Sequence, residues 1–326
     1  MARVVISSAL PIDVRPWLGD ADVVAPSCGS LSRDALLAAV EDADALICLL
    51  TDRIDEELCA RAPRLRIVAN HAVGLDNVDV QACTRHGKLV TNTPGVLTEA
   101  TADLTMALIL SVARRVTEGD RLVRSGGWRG WDPGLLLGAA VSGQVLGIIG
   151  LGRIGRAVAR RARGFEMRIL CAGRSRAPED LEQSLGATRV PLPQLLAESD
   201  FVSVHCPLTR ETRGMLGEHE LSLMKRTAFL INTARGACVD EDALARALEK
   251  GTIAGAGLDV FADEPRVPER LIAQPRAVLL PHVGSATSQA RARMAELCAT
   301  AVASVLRGER PVHLVNPEAW SSGDWR

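Results

Sequence analysis

The stretch Val145-Leu-Gly-Ile-Ile-Gly-Leu-Gly-Arg-Ile-Gly155 decides the fold of this chain. An apolar run, residues 145–149, precedes the glycine-rich turn, and a helix-forming stretch, residues 156–163, follows it. In such a pattern the first glycine permits the turn, the second lets the backbone approach a pyrophosphate, and the third lets helix pack on strand. The pattern therefore predicts a dinucleotide site. Its predicted contacts are Gly150, Leu151, Gly152, Arg153, Ile154 and Gly155.

The residues after the next apolar run indicate which dinucleotide is bound. An NAD site places Asp or Glu about 20 residues beyond the turn, where it binds the ribose hydroxyls. This chain has Gly173, Arg174, Ser175 and Arg176 there. A carboxylate would repel a 2′-phosphate, whereas a guanidinium binds it bidentately. We therefore predict NADP(H) as the preferred cofactor and keep NAD(H) as the alternative, in which the two arginines are ordinary surface residues.

Composition limits the classes to which this chain can belong. Its 326 residues, 47% of them apolar, suffice for two domains with full cores. The formal net charge of −1 gives no electrostatic case for nucleic acid or for an anionic membrane surface. The eight cysteines include no Cys-x-x-Cys pair, which predicts reduced thiols in a cytoplasmic protein and no metal site. Tyrosine is absent, which excludes oxidoreductases whose acid is a tyrosine.

Short apolar runs alternate with helix-like stretches along the chain. This alternation predicts an α/β fold with two doubly wound parallel-sheet domains of Rossmann or flavodoxin type. Because the glycine turn lies mid-chain, we expect the cofactor domain, residues 99–286, to be inserted into a substrate domain, residues 1–98 plus 287–326. One long, largely apolar helix is expected over residues 99–124. The expected strands are 3–7, 22–25, 45–50, 66–70, 89–92, 145–149, 167–172, 188–190, 201–205, 228–231, 254–258 and 277–280.

Three polar side chains follow strands of the second series. Arg235, Glu264 and His282 each lie within a few positions of the carboxyl end of an expected strand. In an open parallel sheet, ligands bind beyond the carboxyl ends of the strands. Each residue alone could be a surface or packing residue, but together they are candidates for catalysis.

With these motifs in this order, the chain resembles the D-isomer-specific 2-hydroxyacid dehydrogenases, and within them the glyoxylate/hydroxypyruvate reductases. The resemblance extends from about residue 70 to residue 316. It is carried by the glycine turn, the segments around Arg235, Glu264 and His282, and residues 72–79 (Ala-Val-Gly-Leu-Asp-Asn-Val-Asp), 91–96 (Thr-Asn-Thr-Pro-Gly-Val), 124–133 and 205–209 (His-Cys-Pro-Leu-Thr).

The resemblance implies that NADPH reduces small 2-oxo acids, glyoxylate to glycolate and hydroxypyruvate to D-glycerate. His282 would donate the proton, Glu264 would hold the ring and favour its charged form, and Arg235 would bind the substrate carboxylate and polarise the carbonyl. The implied further substrate contacts are Val73, Gly74, Ser285 and Trp131. The implied further cofactor contacts are Cys206, Pro207, Thr212, Thr233, Ala234, Asp259 and Gly284, together with Arg235 and His282.

The resemblance also implies a homodimer in which Trp131 reaches the partner's active site and limits substrate size. The alternative is a tryptophan buried at its own subunit's interface. Ser285 could equally cap the following helix, and His71 and His205 are expected to be structural. Two other functions remain open: a dehydrogenase of another 2-oxo acid, and a nucleotide-sensing binding protein like the corepressors that share this fold.

Overall fold

The computed structural model describes residues 1–174 and 179–322. The chain divides into two compact units, one formed by Met1–Leu97 with Ala286–Arg326 and the other by Thr98–Ser285. The second unit is therefore one continuous segment, inserted between the two parts of the first. Two of the predicted cofactor contacts, Ser175 and Arg176, lie outside the described residues.

The first unit contains a five-stranded parallel sheet with the order β2-β1-β3-β4-β5. Its strands are β1 (Arg3–Ile6), β2 (Asp22–Val24), β3 (Ala45–Cys48), β4 (Ile67–Asn70) and β5 (Leu89–Thr91). Its helices are α1 (Arg15–Leu18), α2 (Arg33–Val40), α3 (Glu56–Arg61), α4 (Val80–Arg85), α13 (Ser288–Leu306) and α14 (Pro317–Ser322). Helix α13 packs on β3 and β4, so the carboxyl-terminal segment completes the first core.

The second unit contains a seven-stranded parallel sheet with the order β12-β11-β10-β9-β6-β7-β8. Its strands are β6 (Val145–Ile149), β7 (Arg168–Ala172), β8 (Ala187–Arg189), β9 (Phe201–Val204), β10 (Phe229–Asn232), β11 (Gly255–Leu258) and β12 (Ala277–Leu279). Its helices are α5 (Thr98–Ala113), α6 (Val116–Arg124), α7 (Arg153–Arg163), α8 (Glu179–Leu185), α9 (Leu192–Glu198), α10 (Glu218–Leu223), α11 (Glu241–Glu249) and α12 (Glu269–Ile272). The predicted α/β class and its two parallel sheets are confirmed.

Both sheets are covered on two faces. The central strands β3, β4, β9 and β10 are buried at every position, as expected of parallel strands with helices on both sides. Each unit has two separate apolar clusters, one on each side of its sheet. Among the described residues, no helix is both long enough and apolar enough to cross a membrane.

The structure divides the predicted helix over residues 99–124 into α5 and α6. The break lies at Arg115, whose backbone is in the left-handed region at φ 54° and cannot continue the helical ladder. The Arg115 guanidinium binds both carboxylate oxygens of Glu118, at 3.0 and 2.7 Å, at the start of α6. Helix α5 buries one face in the core, whereas α6 has no buried residue. The apolar run ends at Ala113, just before the break, and the polar stretch that follows it is still compatible with helix, so the two helices were predicted as one.

Candidate active site

The three predicted catalytic side chains come together beyond the carboxyl ends of β10, β11 and β12. The Glu264 Oε2 atom lies 2.7 Å from Nδ1 of His282. The positive charge of Arg235 also acts on the Glu264 carboxylate. All three residues are in the second unit, and this arrangement places an acid–base pair beside a guanidinium.

The environment of Glu264 keeps it ionised. Partial burial alone would raise its pKa, but hydrogen bonds from His282 and from the Phe261 amide, with the charge of Arg235, outweigh burial and leave the pKa below its usual value. A carboxylate at Nδ1 fixes the ring orientation of His282 and leaves Nε2 as the nitrogen that faces a substrate. The pair can therefore deliver one proton at a defined atom.

Asn232, which the sequence analysis did not single out, shapes the turn that carries Arg235. Its side chain is buried and donates to the Arg235 carbonyl at 2.9 Å, while its Oδ1 accepts from the Ala234 amide at 3.0 Å. A buried asparagine at a strand end has to satisfy its amide locally, and here it does so by closing the turn. An asparagine at the end of an apolar strand was the sequence signal that could have revealed this role.

Gly236 brings the Arg235 turn against the loop that carries Glu264. A Cβ atom at this position would lie 1.9 Å from the Phe261 carbonyl carbon and 2.3 Å from the Ala262 amide nitrogen. Both obstacles are backbone atoms, so no side-chain adjustment could make room. The close approach of the turn after Arg235 to the loop that carries Glu264 therefore depends on a glycine.

Asp259 anchors the backbone around His282. The His282 backbone lies in the left-handed region at φ 55°, which is uncommon for a residue other than glycine. The two Asp259 carboxylate oxygens accept hydrogen bonds from the amides of Val283 (2.8 Å) and Gly284 (2.7 Å). Its carbonyl also accepts from the His282 amide at 2.9 Å. Asp259 thus positions the loop that carries His282. The sequence predicted a cofactor contact for Asp259 but not this positioning role.

The glycine turn has the geometry that a pyrophosphate requires. Gly150 has φ 98°, and a Cβ there would lie 2.7 Å from the Cys206 amide nitrogen; one at Gly155 would lie 2.3 Å from the Gly150 carbonyl oxygen. A Cβ at Gly152 would meet nothing within 4 Å. Gly152 caps α7, whose first turn carries no acidic residue. The open side of the turn, at the start of an 11-residue helix, fits a dinucleotide phosphate.

Other predicted cofactor contacts lie in loops that follow strands of the same sheet. Gly173 and Arg174 follow β7 and are exposed. The Thr212 hydroxyl donates to the Pro207 carbonyl at 2.7 Å and so ties the loop after β9. Thr233 is buried and shares a hydrogen bond of 2.9 Å with Thr105. These hydrogen bonds hold the loops that follow β9 and β10, and the cofactor role of each residue stays a prediction.

The two histidines expected to be structural are bonded within their own units. Burial lowers the pKa of His205 to about 4, and its Nε2 lies 2.8 Å from the Ser203 hydroxyl. Burial also lowers the pKa of His71, whose Nε2 lies 3.3 Å from the Arg291 carbonyl oxygen. Both rings are therefore neutral near pH 7. Thr287, rather than Ser285, caps α13 by accepting from the Ala290 amide at 3.1 Å.

Val73 and Gly74 lie in the first unit, in the loop after β4. Asn92 donates to the Val73 carbonyl and Asn70 donates to the Gly74 carbonyl, each at 2.8 Å. Across residues 1–174 and 179–322, no acceptor is found for the amide of either residue. The carbonyl oxygens are thus fixed while both N–H groups stay available to an anion.

Comparison with known proteins agrees with this geometry. The family model for the NAD-binding domain of D-isomer specific 2-hydroxyacid dehydrogenases matches residues 106–284. A glyoxylate reductase of Thermococcus litoralis is 53% identical over 294 residues, which cover 89% of this chain and 88% of the relative. The chain belongs to the D-isomer specific 2-hydroxyacid dehydrogenase family. The resemblance inferred from the motifs is confirmed.

Two solved structures support the assignment of this chain to the family. A Thermus thermophilus protein has a TM-score of 0.91 and 46% identity, covering 96% of this chain and 99% of that one. An NADPH-dependent glyoxylate/hydroxypyruvate reductase of Sinorhizobium meliloti, in complex with NADP and malonate, has a TM-score of 0.83 and 33% identity, covering 98% and 97%. This dehydrogenase is therefore an NAD(P)-dependent oxidoreductase of 2-hydroxy and 2-oxo acids.

Proposed function

We propose that this dehydrogenase reduces glyoxylate to glycolate with NADPH, and hydroxypyruvate to D-glycerate. The observation that carries the proposal is the Glu264–His282 pair at 2.7 Å beside Arg235, on the same sheet edge as the glycine turn. The name of the Thermococcus litoralis relative supports glyoxylate, and that of the Sinorhizobium meliloti relative supports both substrates.

In this proposal each residue of the group has one task. The nicotinamide supplies hydride when bound. Arg235 binds the substrate carboxylate and draws electron density toward the carbonyl oxygen. His282 gives the proton from Nε2 to that oxygen, and Glu264 stabilises the charged ring before transfer and orients it throughout.

The preference for NADPH rests on residues 173 and 174. Neither is acidic, so no carboxylate at these two positions would repel a 2′-phosphate. The exposed Arg174 guanidinium is long enough to adapt to a phosphate. We include Ser175 and Arg176 in the same proposed site on the basis of sequence alone.

We propose that the substrate carboxylate binds the backbone amides of Val73 and Gly74. Asn92 and Asn70 hold the carbonyl oxygens of these two residues. On this basis we assign substrate binding to the unit Met1–Leu97 with Ala286–Arg326, and dinucleotide binding to Thr98–Ser285. Ser285, at the end of the second unit, is proposed as a further polar contact to the substrate.

A homodimer is proposed from an exposed apolar surface on the second unit. In the single chain, Trp131 is 85% exposed and Trp128 is 54% exposed. Large apolar side chains exposed together over a short segment are typical of an interface. Trp131 would then contact the partner's substrate. The other exposed members of this segment are Val116, Val123, Leu135 and Leu137.

A steady-state panel tests the proposal. Glyoxylate, hydroxypyruvate, pyruvate and phenylpyruvate are each assayed with NADPH and with NADH, by the loss of absorbance of the reduced cofactor. We expect kcat/KM to be highest for glyoxylate or hydroxypyruvate with NADPH, and light scattering to give twice the chain mass of 34.7 kDa. The absence of turnover with both glyoxylate and hydroxypyruvate would reject the proposed substrates, and a monomer would reject the role of Trp131.

A further inference from the structure

Two buried thiols face each other in the first unit, whereas the residues assigned to catalysis belong to the second. Cys59 lies on α3 and Cys83 on α4, and their Sγ atoms are 3.6 Å apart. Cys59 is 1% exposed and Cys83 is 0% exposed. Two sulfurs in contact need to move only about 1.5 Å closer to reach the length of a disulfide bond.

A buried cation lies next to this pair. Lys88 is only 2% exposed, and its Nζ donates to the Ala62 carbonyl at 2.6 Å and to the Leu65 carbonyl at 3.3 Å. Both carbonyls follow the end of α3, and the ammonium interacts electrostatically with both thiols. Only three of the 38 lysines and arginines in the chain are lysines, and Lys88 is a buried one.

The ammonium favours the thiolate that an oxidation needs. Burial lowers the pKa of Lys88, whereas negative charge on Cys59 or Cys83 would raise it, because a buried charge is costly unless an opposite charge compensates it. A hydrogen bond from the Cys83 thiol lowers the pKa of Cys59. Cys59 is therefore the attacking sulfur, and Cys83 is the one that resolves it.

We propose that Cys59 and Cys83 form an oxidation site that a peroxide closes to a disulfide. The Cys59 thiolate attacks one peroxide oxygen, the O–O bond breaks, and with one proton taken up the products are a Cys59 sulfenic acid and water. The Cys83 sulfur then attacks the sulfenic sulfur, the S–O bond breaks, and a second water leaves. The two thiols lose two electrons and two protons, and hydrogen peroxide is reduced to two waters.

The position of the pair connects it to a loop with a proposed function. Asp79 caps α4 by accepting from the Ala82 amide at 2.8 Å, and it ends the loop that contains Val73 and Gly74. A bond between Cys59 and Cys83 shifts α4 toward α3, so it acts on this loop through the α4 amino terminus. This consequence rests on the proposed substrate role of the loop, whereas the oxidation itself does not.

Peptide mapping tests the oxidation directly. The folded wild-type protein is treated with hydrogen peroxide, free thiols are alkylated under denaturing conditions, and the chain is digested with trypsin without reduction. Cleavage after arginine releases residues 54–61 and 67–85, which hold Cys59 and Cys83 respectively. We expect these two peptides as one species, 2 Da lighter than their sum, separated again by dithiothreitol.

Matched variants sharpen the test. Cys59→Ser and Cys83→Ser should each lose the linked species, whereas Cys28→Ser, at an exposed thiol, should keep it. Lys88→Met should slow the linkage about tenfold, and Lys250→Met, at an exposed lysine, should leave its rate unchanged. Circular dichroism shows whether each variant is folded, and the wild-type result decides even if Lys88→Met does not fold.

Two results would overturn the proposal. One is that both peptides stay fully alkylated in folded protein while Cys28 is oxidised, which would make the pair ordinary core packing. The other is that linkage appears only after unfolding in urea, where the cysteines pair without selection. The KM for glyoxylate should at least double in the linked protein and recover with dithiothreitol; an unchanged KM would remove the connection to the loop.

Discussion

Two parts of the seven-stranded sheet carry out proposed recognition in different ways. Beyond β10, β11 and β12 the loops are fixed from behind, by the buried side chains of Asn232 and Asp259 and by the close contact at Gly236. Beyond β7 the proposed recognising group is the exposed side chain of Arg174. In the first region, buried side chains and a close backbone contact hold the catalytic residues in place. In the second region, the charge lies at the end of a long exposed side chain.

The difference reflects what each region has to recognise. Proton transfer needs donor and acceptor at hydrogen-bond distance, and an error of about 1 Å can reduce the rate about a hundredfold. A phosphate offers several oxygens and a charge, so a guanidinium can bind it in several orientations. Substitutions beyond β10–β12 should therefore change kcat, and those beyond β7 should change cofactor affinity.

Replacing the proton donor should have the largest effect. His282→Ala removes the group that gives Nε2 its proton, so kcat for glyoxylate should fall about 10²- to 10⁴-fold. NADPH affinity, measured by fluorescence titration, should change less than threefold because the cofactor fold stays intact. A kcat within threefold of wild type would show that the acid lies elsewhere and that the loops beyond β10, β11 and β12 do not carry the chemistry.

Much of this contrast could be read from the sequence. Apolar runs bounded by turn residues placed the strands of both sheets to within about two residues, because both faces of each sheet are buried. Arg235, Glu264 and His282 stood out because each follows a strand end in a recognisable motif. The supports provided by Gly236 and Asp259 did not stand out, because they depend on contacts with segments more than 20 residues away. The Arg115 break and the turn closed by Asn232 are local, but neither changes the pattern of apolar residues from which the elements were predicted.

Asp259 tests whether the supports matter as much as the catalytic residues. Asp259→Asn leaves one oxygen for two amides and turns an N–H₂ group toward the other, so the His282 turn loses an acceptor. We expect kcat to fall about 10- to 100-fold with the KM for NADPH nearly constant. The matched control is Asp263→Asn, an exposed acid in the neighbouring loop that pairs with Arg266. If the KM for NADPH rises while kcat holds, Asp259 acts through the cofactor alone.

Arg174 tests the exposed side chain beyond β7 and should give the smallest effect. Losing one charge-assisted contact to a 2′-phosphate should raise the KM for NADPH about tenfold. Because NADH lacks that phosphate, its kcat/KM should change less than threefold, and kcat with either cofactor should hold. Arg307→Ala, which removes the same charge at an exposed site in the other unit, controls for net charge. Equal losses of kcat/KM with NADPH and NADH would mean that Arg174 supports the glycine turn rather than binding the 2′-phosphate. The comparison between fixed loops beyond β10–β12 and an exposed charge beyond β7 would then be wrong for β7.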